Sequence, residues 1–368
     1  MLCISCKHNT QQSNALLFRV DSENKTAISI NINADISNII DFTNLIDSFQ
    51  YTPLEVSDEC LIGAINKIIY HNNTYYILDR EKAKALFCFD SNGHFERKIG
   101  NIGQGPGEFV QPTDFILTSS HIIILDQFAH KLLFFNLNGE FSHTINLKYK
   151  VHGITSLAND SLFLAKPGDN RNSDVADYEL LVMDVNGEVR LKGIYNPYQL
   201  KYSISGYNSQ IMNGKTIYAK PMSCYIYEIT ESEMKERYYL NITNNSLPKN
   251  YEELCEGNYE NFIKNYKENY NYFSGQFIET DKFILFTVKN TKNLPVIIIY
   301  DKDSQEMKSG IMGANSSSPK FNEIKSIVFS IGNYLTVDGN HIIGAVDSYY
   351  ISGKGEDNPL LFWFSLKN

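Results

Sequence analysis

The chain is poor in several things, and each shortage excludes something. Six cysteines in 368 residues are too few for a disulfide-built scaffold, and Cys60, Cys88, Cys224 and Cys255 show no metal-ligand spacing. They read as buried free thiols. Basic residues are outnumbered, 33 Lys plus Arg against 42 Asp plus Glu, and the formal net charge of −9 argues against a surface built to hold phosphate backbones. Nucleic acid is therefore not an expected partner. No apolar run approaches the roughly 18 to 20 residues of a spanning helix, since stretches such as Ile122 to Leu125 and Leu132 to Phe135 stop after a few residues. Complete catalytic signatures are missing too: neither G-x-S-x-G nor H-E-x-x-H occurs, and Asp301-Lys302-Asp303-Ser304-Gln305 lacks the glycine of a calcium loop. Apolar material, in contrast, is ample at 43%, enough for one large domain or two ordinary ones.

From Gly63 onward, short β-branched and aromatic runs alternate with tight polar turns, which is an all-β pattern. Asp90-Ser91-Asn92-Gly93, Asn136-Leu137-Asn138-Gly139 and Asp184-Val185-Asn186-Gly187 each follow an apolar run, and Asn-Gly supplies the positive φ angles of a tight hairpin. Their glycines recur at 93, 139 and 187, a period in the forties that signifies propeller blades. A second register agrees. Tyr75 to Asp79 and Ile122 to Asp126 occupy one slot ahead of those turns, and Leu162 to Lys166, Ile217 to Lys220, Phe283 to Phe286 and Ile342 to Asp347 fill it later in the chain. Six such second strands predict a six-bladed β-propeller with four-stranded blades. The chain ends at Asn368, one strand short of completing blade six, so Phe49 to Leu54 is expected to dock there and close the ring from the N-terminal side. Pro53 suits an outermost strand. Tyr251, Leu254, Cys255, Tyr259, Phe262, Ile263 and Tyr266 follow a 3.6-residue rhythm, which predicts one amphipathic helix inserted between blades four and five, either a lid over the channel or packed on blade four.

Between the first two blades runs Ile99-Gly100-Asn101-Ile102-Gly103-Gln104-Gly105-Pro106-Gly107-Glu108-Phe109, followed by Pro112 and Asp114. This is similar to the G-x-G-P-G-x-F-x-x-P signature of NHL-type propeller repeats. With Tyr51 to Glu55 and the Asn358-Pro359 strand, the chain resembles the six-bladed propeller lipoproteins of Gram-negative gut anaerobes. The stretch Leu2-Cys3-Ile4-Ser5-Cys6 likewise resembles the end of a bacterial lipoprotein signal, which implies lipid on Cys6. Residues 1–26 are then a signal remnant and tether, and 27–368 the propeller. What the resemblance implies is a monomer held in the cell envelope by its lipid alone, as an outer-membrane lipoprotein facing the periplasm or the cell surface. The glycine-rich crossing is not a phosphate loop, because it lacks the lysine and leads into a strand.

The second-to-third connections and the crossings to the next blade share one face of a propeller. That face carries the long loops, Pro167 to Tyr178, Thr243 to Tyr272, Asn290 to Leu294 and Ser348 to Asp357, and is the expected working side. The residues ending the second strands lie there, in ring order Asp79, Asp126, Lys166, Lys220, Lys289 and Asp347. Either the aspartates cap turns and the lysines are solvated, or the lysine half, with Arg80 beside Asp79, meets carboxylates or sulfates on a glycan or protein partner. In the channel, Asp114, His152 and Tyr207 stand near the starts of innermost strands. Asp114 and His152 have the chemistry to join a divalent metal or to act as base and acid. A binding or scaffold propeller is thus the preferred expectation, with 24 Tyr against 1 Trp leaning the same way. A channel-centred hydrolase or lyase on a sugar or lactone is the alternative; no cofactor is required by either.

Overall fold

Alternation inside the strands decides the architecture. In Ile122-Ile123-Ile124-Leu125 every residue is apolar and buried, which a strand needs only when both of its faces are covered. Ile122 and Ile124 pack with Tyr76, Leu78 and Leu86 of the preceding blade, whereas Ile123 and Leu125 pack with Val151, Phe163 and Leu181 of the next. The core is therefore a series of layers between neighbouring sheets. The computed structural model describes residues 16–17, 19–20, 27–35, 38–157, 161–170, 172–197, 209–212, 215–256, 258–313, 336–346 and 358–367.

These residues build a six-bladed propeller of four-stranded antiparallel blades. Blade one holds Lys67–His71, Thr74–Asp79, Ala85–Asp90 and Phe95–Ile99; blade two holds Asp114–Leu117, His121–Asp126, Lys131–Asn136 and Phe141–Asn146. Blade three follows as Val151–Ser156, Leu162–Pro167, Tyr178–Asp184 and Val189–Tyr195, and blade four as Ser209–Met212, Lys215–Ala219, Tyr225–Ile229 and Glu233–Ile242. Blade five is Tyr272–Glu279, Phe283–Lys289, Pro295–Asp301 and Met307–Gly313. Blade six takes Thr336–Asp338, His341–Val346 and Leu360–Leu366 from the C-terminal end, and Ile46–Pro53 from the N-terminal end as its outermost strand. Leu360 pairs with Pro53, Phe362 with Tyr51 and Phe364 with Phe49. Ring closure is as expected, by a strand that begins at Ile46.

Asn358 ties the seam. Its side-chain oxygen accepts from Ile62 N at 2.7 Å, and its amide donates to the carbonyls of Glu55 at 2.6 Å and Cys60 at 2.8 Å. The Asn-Gly hairpins tuck under the outermost strand of the blade before them. Gly93, at φ 86°, lies so close to Pro53 that a Cβ would sit 2.0 Å from its carbonyl oxygen, and at Gly139 a Cβ would meet Ile99 Cδ1 at 2.8 Å. The repeat of glycines thus reflects both a left-handed turn and a close approach. In the glycine-rich crossing, the Glu108 carboxylate accepts from Gly105 N at 2.7 Å, and Phe109 is buried between blades one and two. Cys60, Cys88 and Cys255 are buried free thiols, and Cys224 is free and half-buried.

An unexpected element is an arm on the outside of the ring. Leu16–Leu17 pairs in parallel with Leu191–Lys192 of blade three, Arg19–Val20 with Glu233–Met234 and Ile28–Ile32 with Tyr238–Ile242 of blade four, and Ile39–Asp41 with Ile311–Gly313 of blade five. The arm then enters blade six as its outermost strand. Its first two pairings lie within the stretch 1–26.

The insertion between blades four and five is two short helices, Tyr251–Leu254 and Tyr259–Asn265, where the rhythm predicts a single one. Asn258 interrupts it by capping the second helix, accepting from Glu260 N and Asn261 N. Tyr251, Cys255 and Phe262 pack against Met222 and Tyr272, so the insertion is seated on the long-loop face of blade four and buries its aromatic side.

Candidate functional site

Two charged positions that the sequence places on the working face are committed to the scaffold. Asp79 is fully buried; one carboxylate oxygen accepts from Gly63 N and Ala64 N, the other from Glu81 N and Lys82 N. Asp126 repeats this with Val110 N, Phe128 N and Ala129 N. Each aspartate joins its own loop to the crossing that enters its blade, which is a capping role.

Asp114 is equally occupied. It is 0% exposed, Lys67 Nζ donates to it at 2.7 Å, Phe115 N donates to the same oxygen at 2.8 Å, and Ile154 N of blade three donates to the other oxygen at 2.8 Å. Lys67 also donates to Phe115 O at 2.7 Å. Burial pushes the Asp114 carboxyl upward, against the Lys67 ammonium and the two backbone donors. One ion pair therefore stitches blades one, two and three around the channel wall.

Lys220 is turned inward. It donates to Glu179 at 2.5 Å and to Glu252 of the helical insertion at 3.1 Å, while Asn196 bridges the same two carboxylates at 2.6 and 2.7 Å. Burial alone would lower the Lys220 pKa, but the two glutamates outweigh it and hold it above the usual lysine value. This cluster locks the insertion onto blades three and four.

Lys166 occupies the same slot on blade three and meets no such partner. Among the described residues its ammonium has no hydrogen bond and no ion pair. Burial lowers its pKa, the Glu179 charge opposes the shift, and the Lys220 charge adds to it. Beside it, the innermost strand of blade three bulges: Val151 pairs with Pro167 and Gly153 with Lys166, so His152 is the extra residue. Bulges re-aim a side chain, and here the exposed His152 ring lies against Gly168, where a Cβ would come within 2.3 Å of it. Packing and the charges of Lys166 and Lys150 hold the imidazole below its usual pKa.

The other two basic candidates stand apart. Lys289 ends the second strand of blade five, its pKa lowered by burial and by Lys267 of the insertion. Arg80 is at blade one, 3.5 Å from Glu81. Tyr207, Asp347 and Cys6 lie outside the described residues. Among the described residues no three His, Cys, Asp or Glu side chains converge as a metal group. Local sequence does not distinguish Lys166 from Lys220, because the partner that separates them, Glu252, comes from the insertion.

A family profile described as a domain of unknown function, DUF4934, matches residues 27–362. The chain belongs to the DUF4934 family. Comparison with curated proteins finds no match. Among solved structures, the DUF4934 chain is similar to a candidate exported protein of Bacteroides fragilis, with a TM-score of 0.73, 18% identity and coverage of 93% of this chain and 100% of the other. It is also similar to a DUF4221 member from Bacteroides vulgatus, with a TM-score of 0.53, 12% identity and coverage of 88% and 97%. At these identities the likeness carries the fold of the DUF4934 chain and nothing finer.

Proposed function

We propose that this protein is an extracytoplasmic binding propeller that takes an acidic group of a glycan or protein partner on its long-loop face, with Lys166 as the receiving cation. The observation that carries the reading is the contrast between two lysines in equivalent slots. Lys220 is ion-paired with Glu179 and Glu252, whereas the desolvated Lys166 makes no hydrogen bond or ion pair among the described residues. A charge without a partner is costly in such surroundings. An incoming carboxylate or sulfate relieves that cost, and His152 stands beside Lys166 on its bulge. Lys289 and Arg80 extend the basic positions around the same face.

Support for an extracytoplasmic setting comes from the exported character ascribed to the Bacteroides fragilis neighbour and from the lipoprotein-like Leu2 to Cys6, with Cys6 as the anchor. Palmitate labelling of the natural gene product, lost in Cys6→Ala, tests the anchor. The catalytic alternative is weakened by Asp114, whose oxygens are occupied by Lys67 and two backbone donors.

An array of carboxylated, sulfated and neutral glycans together with acidic peptides tests the binding. Lys166→Gln removes one charge-assisted hydrogen bond, worth about 1.5 to 3 kcal/mol, and should weaken acidic binders roughly ten-fold or more. Equal binding by parent and variant, or preference for neutral probes, refutes the assignment.

A further inference from the structure

The molecule covers the outer edges of its own blades unevenly. Blades three, four and five each receive a parallel strand from the N-terminal arm beyond their fourth strand. Among the described residues, none pairs with the outer edges of blades one, two and six.

Two of these three edges carry the devices that keep bare strands from pairing. Blade one ends in Phe95-Glu96-Arg97-Lys98-Ile99, with three consecutive charges, and blade six ends in a strand holding Asp47 and Pro53. Blade two ends in Phe141-Ser142-His143-Thr144-Ile145-Asn146, which contains neither a charged residue nor a proline. Five of these six residues are exposed. One side of the strand already carries an apolar step, because the His143 ring stacks on Phe134 with centroids 4.3 Å apart and Ile145 is half-buried against the layer between blades two and three.

We propose that the outer edge of blade two, Phe141–Asn146, is a docking strand for an extended segment of a partner protein, added in the manner in which the arm is added to the next three blades. A row of main-chain N–H and C=O groups at strand spacing is matched by another peptide backbone, and not by a sugar. The arm supplies the pattern that such an edge accepts: Ile28-Ser29-Ile30-Asn31-Ile32 is uncharged, alternates β-branched with small polar residues, and runs parallel to its host, with Ile30 and Ile32 buried. The segment sought therefore has alternate β-branched or aromatic residues and no charge in its central positions. Two copies of this chain meeting edge to edge about a twofold axis would instead pair antiparallel.

The test is panning of a phage-displayed peptide library on the full-length protein, followed by binding of the selected synthetic peptides to the parent and to Ser142→Lys/Thr144→Lys. Both replaced side chains are exposed, so the variant should retain the parental unfolding midpoint while placing two ammonium groups on the edge. Enrichment of alternating β-branched sequences, at least ten-fold weaker binding to the variant, and slowed amide exchange confined to residues 141–146 are expected. Lys166→Gln should leave this binding unchanged, which separates the edge from the long-loop face. No enrichment, equal binding to parent and variant, or a concentration-dependent dimer of the parent that the variant abolishes would each overturn the proposal, the last by making a second copy the occupant.

Discussion

Replacing Lys67 by methionine interrogates the channel wall most directly. The side chain keeps its apolar stem and loses only the ammonium that donates to Asp114 at 2.7 Å and to Phe115 O at 2.7 Å. Asp114 is fully buried and retains its two backbone donors, Phe115 N and Ile154 N, but no cation. Removing one partner of a buried pair costs about 3 to 5 kcal/mol, since the charge left behind is uncompensated. The loss should be read from urea unfolding followed by far-UV circular dichroism.

The pH dependence is the sharper part. Burial already holds the folded Asp114 pKa above the unfolded value of about 3.9. A folded state that retains a proton the unfolded chain has released loses stability as pH rises from the unfolded pKa through the folded one, and the loss is constant above that. Lys67 opposes the rise, so removing it lifts the folded pKa further and extends the window toward neutrality. Lys67→Met should therefore be least destabilised at acid pH, toward the unfolded carboxylate pKa, and most at neutral pH and above. Adding Asp114→Asn removes the stranded charge while an amide oxygen still serves Ile154 N, and should recover at least half of the loss. A single variant within about 1 kcal/mol of the parent, with no dependence on pH, would refute the account of the wall as a charge stitch.

Three other outcomes follow from the same geometry. Deleting residues 1–54 removes the closing strand and the arm, and the product should be insoluble or lack a cooperative thermal transition; a soluble, equally stable truncation would contradict closure. Asn358→Ala cuts three hydrogen bonds across the seam, two of them from buried groups, and should cost about 2 to 4 kcal/mol in urea unfolding. Glu279, nearly buried between blades four and five, has its pKa raised by burial but lowered more by Arg237 at 2.6 Å and Lys302 at 3.2 Å, so the net shift is downward. Its contribution is fully present above the unfolded glutamate pKa, near 4.3, and disappears as pH falls through the folded value; Arg237→Met should flatten that acid limb of the stability profile.

The parts of this fold legible in the sequence are those whose physics is local. An Asn-Gly hairpin needs positive φ wherever it occurs, as at Gly93, Gly139 and Gly187, and in this ring Gly93 and Gly139 also need an absent Cβ beneath Pro53 and Ile99, so these two mark their blades doubly. Continuous apolar strands announce two covered faces. Two pieces of the arm gave no such signal, because Leu16–Leu17 and Ile39–Asp41 are strands of two and three residues whose pairing is made by main-chain groups that any sequence possesses, whereas the alternation of Ile28–Ile32 marks a strand without naming its host. The break in the helical insertion was hidden for a related reason. Apolar spacing continues through it, while the residue that ends the rhythm is a cap, Asn258, whose effect depends on backbone angles.

The candidate site illustrates a stricter limit. Six charged residues end or neighbour the second strands, and sequence alone ranks them by position, whereas function depends on which of them the scaffold neutralises. Asp79 and Asp126 are held by backbone donors, Lys220 is paired with Glu179 and with a glutamate 32 residues further along, and Asp114 with a lysine 47 residues earlier. Among the described residues these pairs leave the Lys166 and Lys289 ammonium groups on the long-loop face and the uncharged edge of blade two unmatched, and the two proposals rest on them. The two are different in kind, one selecting an acidic group and the other a peptide backbone, and a partner carrying both would be held at two points whose contributions Lys166→Gln and the blade-two lysines remove separately.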